Sequence, residues 1–359
     1  MTETSRHLVI GNHLINDDSD CYVIAEIGNN HQGSLEICKE MFLAAKNAGV
    51  NAVKLQKRDN KTLYTKEAYN KPYDNHSSFG ATYGEHREYL EFGWHEYVEL
   101  KEYAQELEVD FFATAFDIPS ADFLEKVGIP AYKIASGDLK NIPLLKHVAG
   151  FDKPILLSTG GGTLKDIQRA YDAIIPINNQ LCILQCTGGY PPAWDELNLQ
   201  VIRTLQDNFP DIVTGFSSHD SGIAMAVAGY MLGARIIEKH FTLNRATKGT
   251  DHAFSLEPVG MRKMVRDLRR LKLALGDGNK TMFPSEEAPI TKMGKSLVAQ
   301  SDLEKGHVLT IDDIAMKSPG GGLPPYEFEN IIGKELKEAV VEDQQIEYSQ
   351  LKPEDSNQK

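Results

Sequence analysis

The chain has 359 residues, of which 41% are hydrophobic and 25% charged, and its formal net charge is −13. That composition belongs to a globular protein with a large core, and the acidic balance excludes nucleic acid as the main partner. No run of about 18 apolar residues offers a membrane span, and the first residues show no secretory leader, so a reducing, cytoplasmic setting is expected. Cys21, Cys38, Cys182 and Cys186 form no CxxC pair or dense framework and read as buried thiols.

From about Tyr22 to Leu275 one unit recurs: a short apolar run, a turn, then an amphipathic helical stretch. The runs are Tyr22–Gly28, Ala52–Gln56, Asp110–Phe116, Ala131–Ser136, Pro154–Thr159, Leu181–Cys186, Val213–His219 and Arg235–Phe241. Eight such runs predict parallel strands closed into a (β/α)₈ TIM barrel of about 250 residues rather than an open sheet. Gly28–Gly33 does not supply the GxGxxG of a dinucleotide fold. Ser34, Pro119-Ser120 and Thr163 mark helix starts, and Gly49, Gly128, Gly150 and Gly233 suit left-handed helix ends. The stretch from about Lys57 to Phe92 is too long for an ordinary connection and predicts a lid or substrate loop hinged at Gly80 and Gly84. After Leu275 the composition shifts. The predicted domains are a barrel over 1–281, with residues 1–20 as an extension packing on it, a linker over 282–292, and a small module over 293–359. Strand-like runs at Ser296–Ala299 and Ala339–Val341 belong to that module.

Alternate residues of a barrel strand face its interior. That parity puts Gly215, Ser217 and His219 on one face, and Ile236, Glu238 and His240 on one face of the next strand. Two imidazoles at neighbouring strand ends make a divalent-metal site with open positions, against the alternative of two hydrogen-bonded core histidines. Lys54 and Lys133 also point inward, which is costly unless an anion neutralises them. A structural pair such as Lys54 with Glu26 is the alternative; a ligand with more than one negative charge is the reading preferred here. Strand ends at Ser136-Gly137, Ser158–Gly162 and Cys186–Gly189 offer hydroxyls and backbone N–H groups to a phosphate. Glu26 is a carboxylate available to handle water or a proton.

The motifs Ala25–Gly33, Val53–Gln56, Tyr132–Asp138, Leu157–Gly160, Ser217–His219 and Ile237–Thr242 resemble, in order, the sialic acid synthase family, whose C-terminal module is an antifreeze-like (SAF) domain. The resemblance implies a transferase that condenses phosphoenolpyruvate with an open-chain N-acyl-hexosamine, such as N-acetylmannosamine, and releases phosphate by C–O cleavage. It implies a divalent cation, Mn2+ with Mg2+ or Co2+ as options, held by His219 and His240, and places Glu26 at the water that adds. It carries phosphoenolpyruvate contacts over to Lys54, Thr114, Lys133, Ser136, Ser158 and Ser217. Sugar contacts carry over to Gln56, Asn75, Asp138, Tyr190 and Asp251. It also implies a domain-swapped homodimer in which the C-terminal module caps the partner's barrel, and the Gly320–Gly322 and Pro324-Pro325 loop is the candidate for the part that reaches over.

Two departures concern the substrate. Gly188 stands where family members offer an amide to phosphoenolpyruvate, and Ser318 stands where the module often offers an arginine to the sugar's acyl end. Legionaminic or pseudaminic precursors are therefore alternatives. A synthase for a 3-deoxy sugar acid phosphate would want extra cations at the far end of the pocket; Asp138 and Tyr190 there favour an unphosphorylated sugar. A catalytically silent sugar-binding barrel would have lost Glu26, Lys54 or a histidine, and all are present.

Overall fold

The computed structural model describes residues 6–353. They divide into two compact units, separated after Gly276. The first is a closed barrel of eight parallel strands: β3 (Tyr22–Gly28), β4 (Ala52–Lys57), β5 (Asp110–Ala115), β6 (Tyr132–Ile134), β7 (Ile155–Ser158), β8 (Leu181–Cys186), β9 (Val213–Ser218) and β10 (Ile236–His240), which closes on β3. Every expected run forms a strand, and almost every strand residue is buried, between the barrel interior on one face and the covering helices on the other. Ahead of the barrel, strands β1 (His7–Ile10) and β2 (His13–Asn16) make an antiparallel hairpin. Its Leu8, Ile10 and Ile15 join the barrel core. His13 Nδ1 lies 3.1 Å from Asp110 Oδ2 and Tyr22 donates to the same oxygen at 2.7 Å, so the hairpin covers the end where strands begin. The extension at 1–20 thus packs on the barrel in its described part; residues 1–5 lie outside the described residues.

Helix ends follow local chemistry. Ser34 and Thr163 cap helices Leu35–Ala48 and Leu164–Ile174 as expected. The helix predicted to open at Pro119-Ser120 starts earlier, at Ile118, because the Asp117 carboxylate accepts the Ser120 N–H at 2.7 Å. Gly150 is not a left-handed end: its φ is −64° and it continues the helical conformation.

The long segment after β4 folds into helices Asn60–Leu63, Lys66–Asn70 and Tyr83–Leu90. Gly84 is no hinge there. A Cβ on it would meet the Tyr69 ring at 2.4 Å, so the glycine lets two helices of the segment touch. Gly80 likewise has a negative-φ backbone and lies against Glu85 and His86.

The second unit, Asp277–Lys359, has its own core of Leu297, Leu309, Ile331, Leu336 and Ile346. Strand β11 (Ser296–Ala299) pairs antiparallel with β12 (Ile314–Lys317). The expected strand at Ala339–Val341 is only a single bridge from Val340 to Leu303. The stretch expected as a linker, 282–292, instead carries helix Pro284–Met293, opened by a proline at its first position where a missing N–H costs nothing.

Candidate active site

A cavity of about 560 Å³ opens at the ends of the barrel strands, the end where barrel enzymes keep their sites. Its floor is built by strand parity. Lys54 on β4, Lys133 on β6, Ser217 on β9 and Glu238 on β10 line it, as do Ser158 of β7 and Glu26 of β3. A bulge follows Glu26, where the β3–β4 register skips from Glu26 to Gly28. Gly28 has φ +56°, and a Cβ on it would sit 3.1 Å from Gln56 Nε2 and 3.2 Å from Glu26 Oε1. Only glycine lets the backbone turn this close to the two side chains.

The charges of the floor are all buried, and they are paired. Lys54 Nζ lies 2.6 Å from Glu26 and 3.8 Å from Glu238, and it donates to Thr114 at 2.7 Å. Lys133 Nζ lies 3.5 Å from Glu238 and donates to Ser158 Oγ at 2.6 Å. Ser217 Oγ donates to Glu238 at 2.8 Å, and Gln56 Nε2 to Glu26 at 2.8 Å. The Lys54–Glu26 pair, set aside in favour of a bound anion, is thus present, and Glu238 partners both ammonium groups. Two ammonium groups in a dry barrel need counter-charge when no ligand supplies it. Burial pushes the Glu26 carboxyl up in spite of Lys54, with the Glu238 charge adding to the rise. Burial works against ionised Glu238 as well, but Lys133 and then Lys54 outweigh it and hold its carboxyl below the usual range. Two neighbouring carboxyls pulled apart in this way suit one to proton transfer and the other to permanent charge.

The histidines meet as expected. His219 and His240 have ring centroids 5.3 Å apart and both line the cavity. His219 Nδ1 donates to the Thr187 carbonyl at 2.9 Å, which leaves its other nitrogen with a lone pair. His240 Nδ1 is buried with no hydrogen-bond partner and lies 3.9 Å from Asp251 Oδ2. Burial lowers both imidazoles to about 4; the His240 charge lowers His219 further, while Asp251 and Glu238 only partly offset the burial of His240. Two neutral, lone-pair-bearing imidazoles fit a divalent cation. Among the described residues no group of three or more His, Cys, Asp or Glu side chains could hold one, so substrate or water would have to complete the ligand set. Tyr190 stacks on His219 with centroids 4.0 Å apart, and buried Phe254 stands 5.0 Å from His240. Sequence parity could not find Phe254, because it lies in the loop after β10.

The glycine- and hydroxyl-rich strand ends do converge: the Gly160 N–H donates to Ser136 Oγ at 2.9 Å, and Ser136, Gly137 and Ser158 line the cavity. Thr159 and Thr187 do not contribute, since their hydroxyls donate to the Leu184 and Glu196 carbonyls. Of the expected sugar residues, Gln56, Tyr190 and Asp251 line the cavity. Asn75 does not: it is exposed, and its side chain accepts the Ser77 N–H at 2.9 Å to close a turn. Asp138 does not either; its carboxylate accepts from Asn141 at 3.0 Å beside the start of the next helix. Two charged lining residues escaped the sequence reading, Arg58 and Arg87. Their signal was their position in the long segment after β4, which no periodicity resolves into a side-chain direction.

The strand ends bring together two imidazoles, two lysines and two carboxyls at the end of the barrel where TIM-barrel enzymes keep their active sites. The family model described as the NeuB family matches residues 41–280, and the SAF domain matches residues 294–352. The chain is 39% identical to the N-acetylneuraminate-9-phosphate synthase of Homo sapiens over 327 residues, 91% of each chain. It is 36% identical to the N,N'-diacetyllegionaminic acid synthase of Legionella pneumophila over 324 residues, 88% of this chain and 90% of the relative. Among solved structures, an N-acetylneuraminic acid synthetase from Leptospira borgpetersenii superposes with a TM-score of 0.69 at 31% identity, covering 80% of this chain and 95% of that one. This chain belongs to the NeuB family of sialic and other nonulosonic acid synthases and carries a C-terminal SAF domain.

Proposed function

We propose that the protein condenses phosphoenolpyruvate with the aldehyde of an open-chain N-acyl-hexosamine, N-acetylmannosamine or a legionaminic- or pseudaminic-type relative, to give a nine-carbon 2-keto sugar acid and phosphate. The observation that carries this reading is the joint opening of His219, His240, Lys54, Lys133 and Glu26 on one cavity. Lys54 with Thr114, and Lys133 with Ser136, Ser158 and Ser217, hold the carboxylate and phosphate of phosphoenolpyruvate. Its methylene carbon attacks the aldehyde carbon, a carbon–carbon bond forms, and the former aldehyde oxygen takes a proton. Water then adds to the cationic carbon, giving up a proton toward Glu26, and phosphate leaves with cleavage of the C–O bond.

A divalent cation at His219 and His240, Mn2+ with Mg2+ or Co2+ as options, would supply Lewis-acid polarisation of the aldehyde. The floor supports the need for extra positive charge. With Glu26 and Glu238 both ionised, Lys54 and Lys133 are already neutralised, so a trianionic substrate needs either a proton on Glu26 or further cations. Gln56, Tyr190 and Asp251 stand where the sugar would lie.

Phosphate release with phosphoenolpyruvate, Mn2+ and a panel of N-acyl-hexosamines tests the reading. Turnover abolished by a chelator and restored by Mn2+ is expected; turnover with no sugar of the panel overturns it. The family resemblance also supports a cytoplasmic, domain-swapped dimer. A dimer that still forms with the chain cut after residue 281 would rule out the swap as its basis.

A further inference from the structure

The two strands that carry the imidazoles are joined past the end of their ladder by a buried ion pair that none of the roles above uses. The β9–β10 register runs from Gly215–Ile236 to Ser218–Lys239 and stops there, one step short of His219 and His240. His240 still has a ladder partner on its other side, Glu26 of β3. His219 has none on β8, where the last pair is Cys186–Ser217. Strand parity turns Glu238 and His240 into the cavity and Lys239 away from it. Lys239 is 1% exposed and Asp220 2% exposed. Lys239 Nζ lies 2.8 Å from Asp220 Oδ1 and also donates to the Asp220 carbonyl at 2.5 Å. The Ser218 hydroxyl donates to the same carboxylate, whose Oδ2 is buried with no hydrogen-bond partner.

A buried ion pair is weak evidence for stability, because removing both charges from water costs about as much as their attraction returns. Apolar side chains of similar volume would hold two strands as well. What they would not supply is direction, since hydrophobic contact is non-directional. One ammonium group that grips both the carboxylate and the carbonyl of Asp220 fixes that peptide, and with it the chain that leaves His219. The residue after one imidazole is thereby tied to the residue before the other. The spacing matters here because no third His, Cys, Asp or Glu joins the two rings in a metal-holding group among the described residues. Their separation, 5.3 Å between centroids, and the 58° between their planes are therefore the whole of the geometry the imidazoles offer a cation.

We propose that Lys239 and Asp220 are positioning residues: their ion pair takes the place of the missing ladder step and sets the separation and facing of His219 and His240, so that both rings can ligate one divalent cation. The inference rests on the synthase reading above for the cation. Neither side chain touches substrate in that reading. Lys54 and Lys133 stand on other strands, β4 and β6, so the site for phosphoenolpyruvate does not need the pair.

The test combines Lys239→Met with Asp220→Leu in the full chain, which removes both charges together and leaves neither buried alone. Four quantities are measured: Mn2+ binding by electron paramagnetic resonance, phosphoenolpyruvate binding by calorimetry, the unfolding midpoint, and solvent exchange of the His219 Nδ1 proton by NMR in the metal-free protein. Expected are a rise of about tenfold or more in the Kd for Mn2+, a Kd for phosphoenolpyruvate within about threefold of wild type, and a midpoint close to that of wild type. The His219 proton, held on the Thr187 carbonyl in wild type, should exchange faster. Wild-type Mn2+ affinity in the folded double variant overturns the proposal, and so does an equal loss of both ligands, which would mean a general loosening of the barrel mouth. Should the double variant fail to fold, Asp220→Asn, which keeps an acceptor for Ser218 and Lys239 but not the charge, decides by the same readouts. If wild type binds no Mn2+, the cation reading fails; faster exchange of the His219 proton in the variant would still support a positioning role, and unchanged exchange would end it.

Discussion

The floor and the rim of the cavity are both rich in charge, and they are built on opposite plans. On the floor, four buried charges stand on strands and neutralise one another within 4 Å: Lys54 with Glu26, and Lys133 with Glu238. On the rim, Arg58 and Arg87 stand on a segment of short helices and lean on an amide, a phenol and an aromatic face. A self-neutralised floor is stable without ligand and must be unlocked by one. On the rim the one carboxylate within 4 Å of either guanidinium among the described residues is Glu91, 3.9 Å from Arg58. The difference separates residues whose loss should damage the fold from residues whose loss should damage only recognition.

The largest expected effect follows from breaking the floor. Lys54→Met leaves Glu26 and Glu238 buried with one ammonium between them, and should cost about 3–5 kcal/mol in denaturant unfolding. Adding Glu26→Gln in the same chain should return a substantial part of that loss, since a missing pair costs less than a broken one. A single variant as stable as wild type would show that the pair does not stabilise the floor. Next come the imidazoles. His219→Ala and His240→Ala should each lower kcat by about two to three orders of magnitude, with unfolding free energies changed by only about 1 kcal/mol because they open onto a cavity already present. Lys133→Ala lies between these cases: it should raise the KM for phosphoenolpyruvate and also destabilise, by freeing the Glu238 carboxylate.

The same division explains what the sequence could disclose. The eight strands, the facing of Lys54, Glu238, Ser217, His219 and His240, and the hydroxyl-rich strand ends follow from a period of two in apolar runs. That period is imposed by burial, so it survives in the sequence. Glu26 was legible too, although the bulge after it was not. The N-terminal hairpin was unreadable as strands because four-residue runs carry too few alternations. Arg58, Arg87 and Phe254 stand on connections, where no period fixes a direction, and Asn75 and Asp138 were carried over by resemblance onto positions whose side chains close a local turn and a helix start instead. Lys54 pairs with Glu26, and because an anion and a glutamate answer the same electrostatic need, the sequence does not separate the two readings.

A smaller effect joins the two regions through His31, on the loop after β3, whose ring stacks on Phe92 with centroids 4.1 Å apart at the end of the rim segment. Its Nδ1 accepts the Gly33 N–H at 3.1 Å, and burial lowers its pKa to about 3 from the ordinary 6.5. The folded chain therefore binds fewer protons here than the unfolded chain between pH 6.5 and about 3. Stability is full above 6.5 and declines as pH falls, by at most about 1.4 kcal/mol per pH unit for each such group. Histidines 219 and 240, lowered to about 4, add to the slope over their own narrower window. His31→Gln should flatten the fall in stability between pH 6 and 4, measured by denaturant unfolding; an unchanged slope would mean that this ring is not held neutral by the fold.

The smallest effect is expected at Thr82, and it separates rim from floor most sharply. Its hydroxyl accepts the Glu85 N–H at 3.2 Å while the Glu85 carboxylate accepts the Thr82 N–H at 3.3 Å, a reciprocal cap that opens the helix bearing Arg87. Thr82→Ala removes half of that cap, worth about 1 kcal/mol. Because the segment contributes few residues to the barrel core, the loss should appear as local opening, seen in faster amide exchange over residues 83–90, with the global unfolding midpoint almost unmoved. The KM for the sugar should rise severalfold while that for phosphoenolpyruvate stays put, since only the rim has loosened. A parallel rise in both constants would mean that the segment also orders the floor, and the division between the two regions would have to be redrawn.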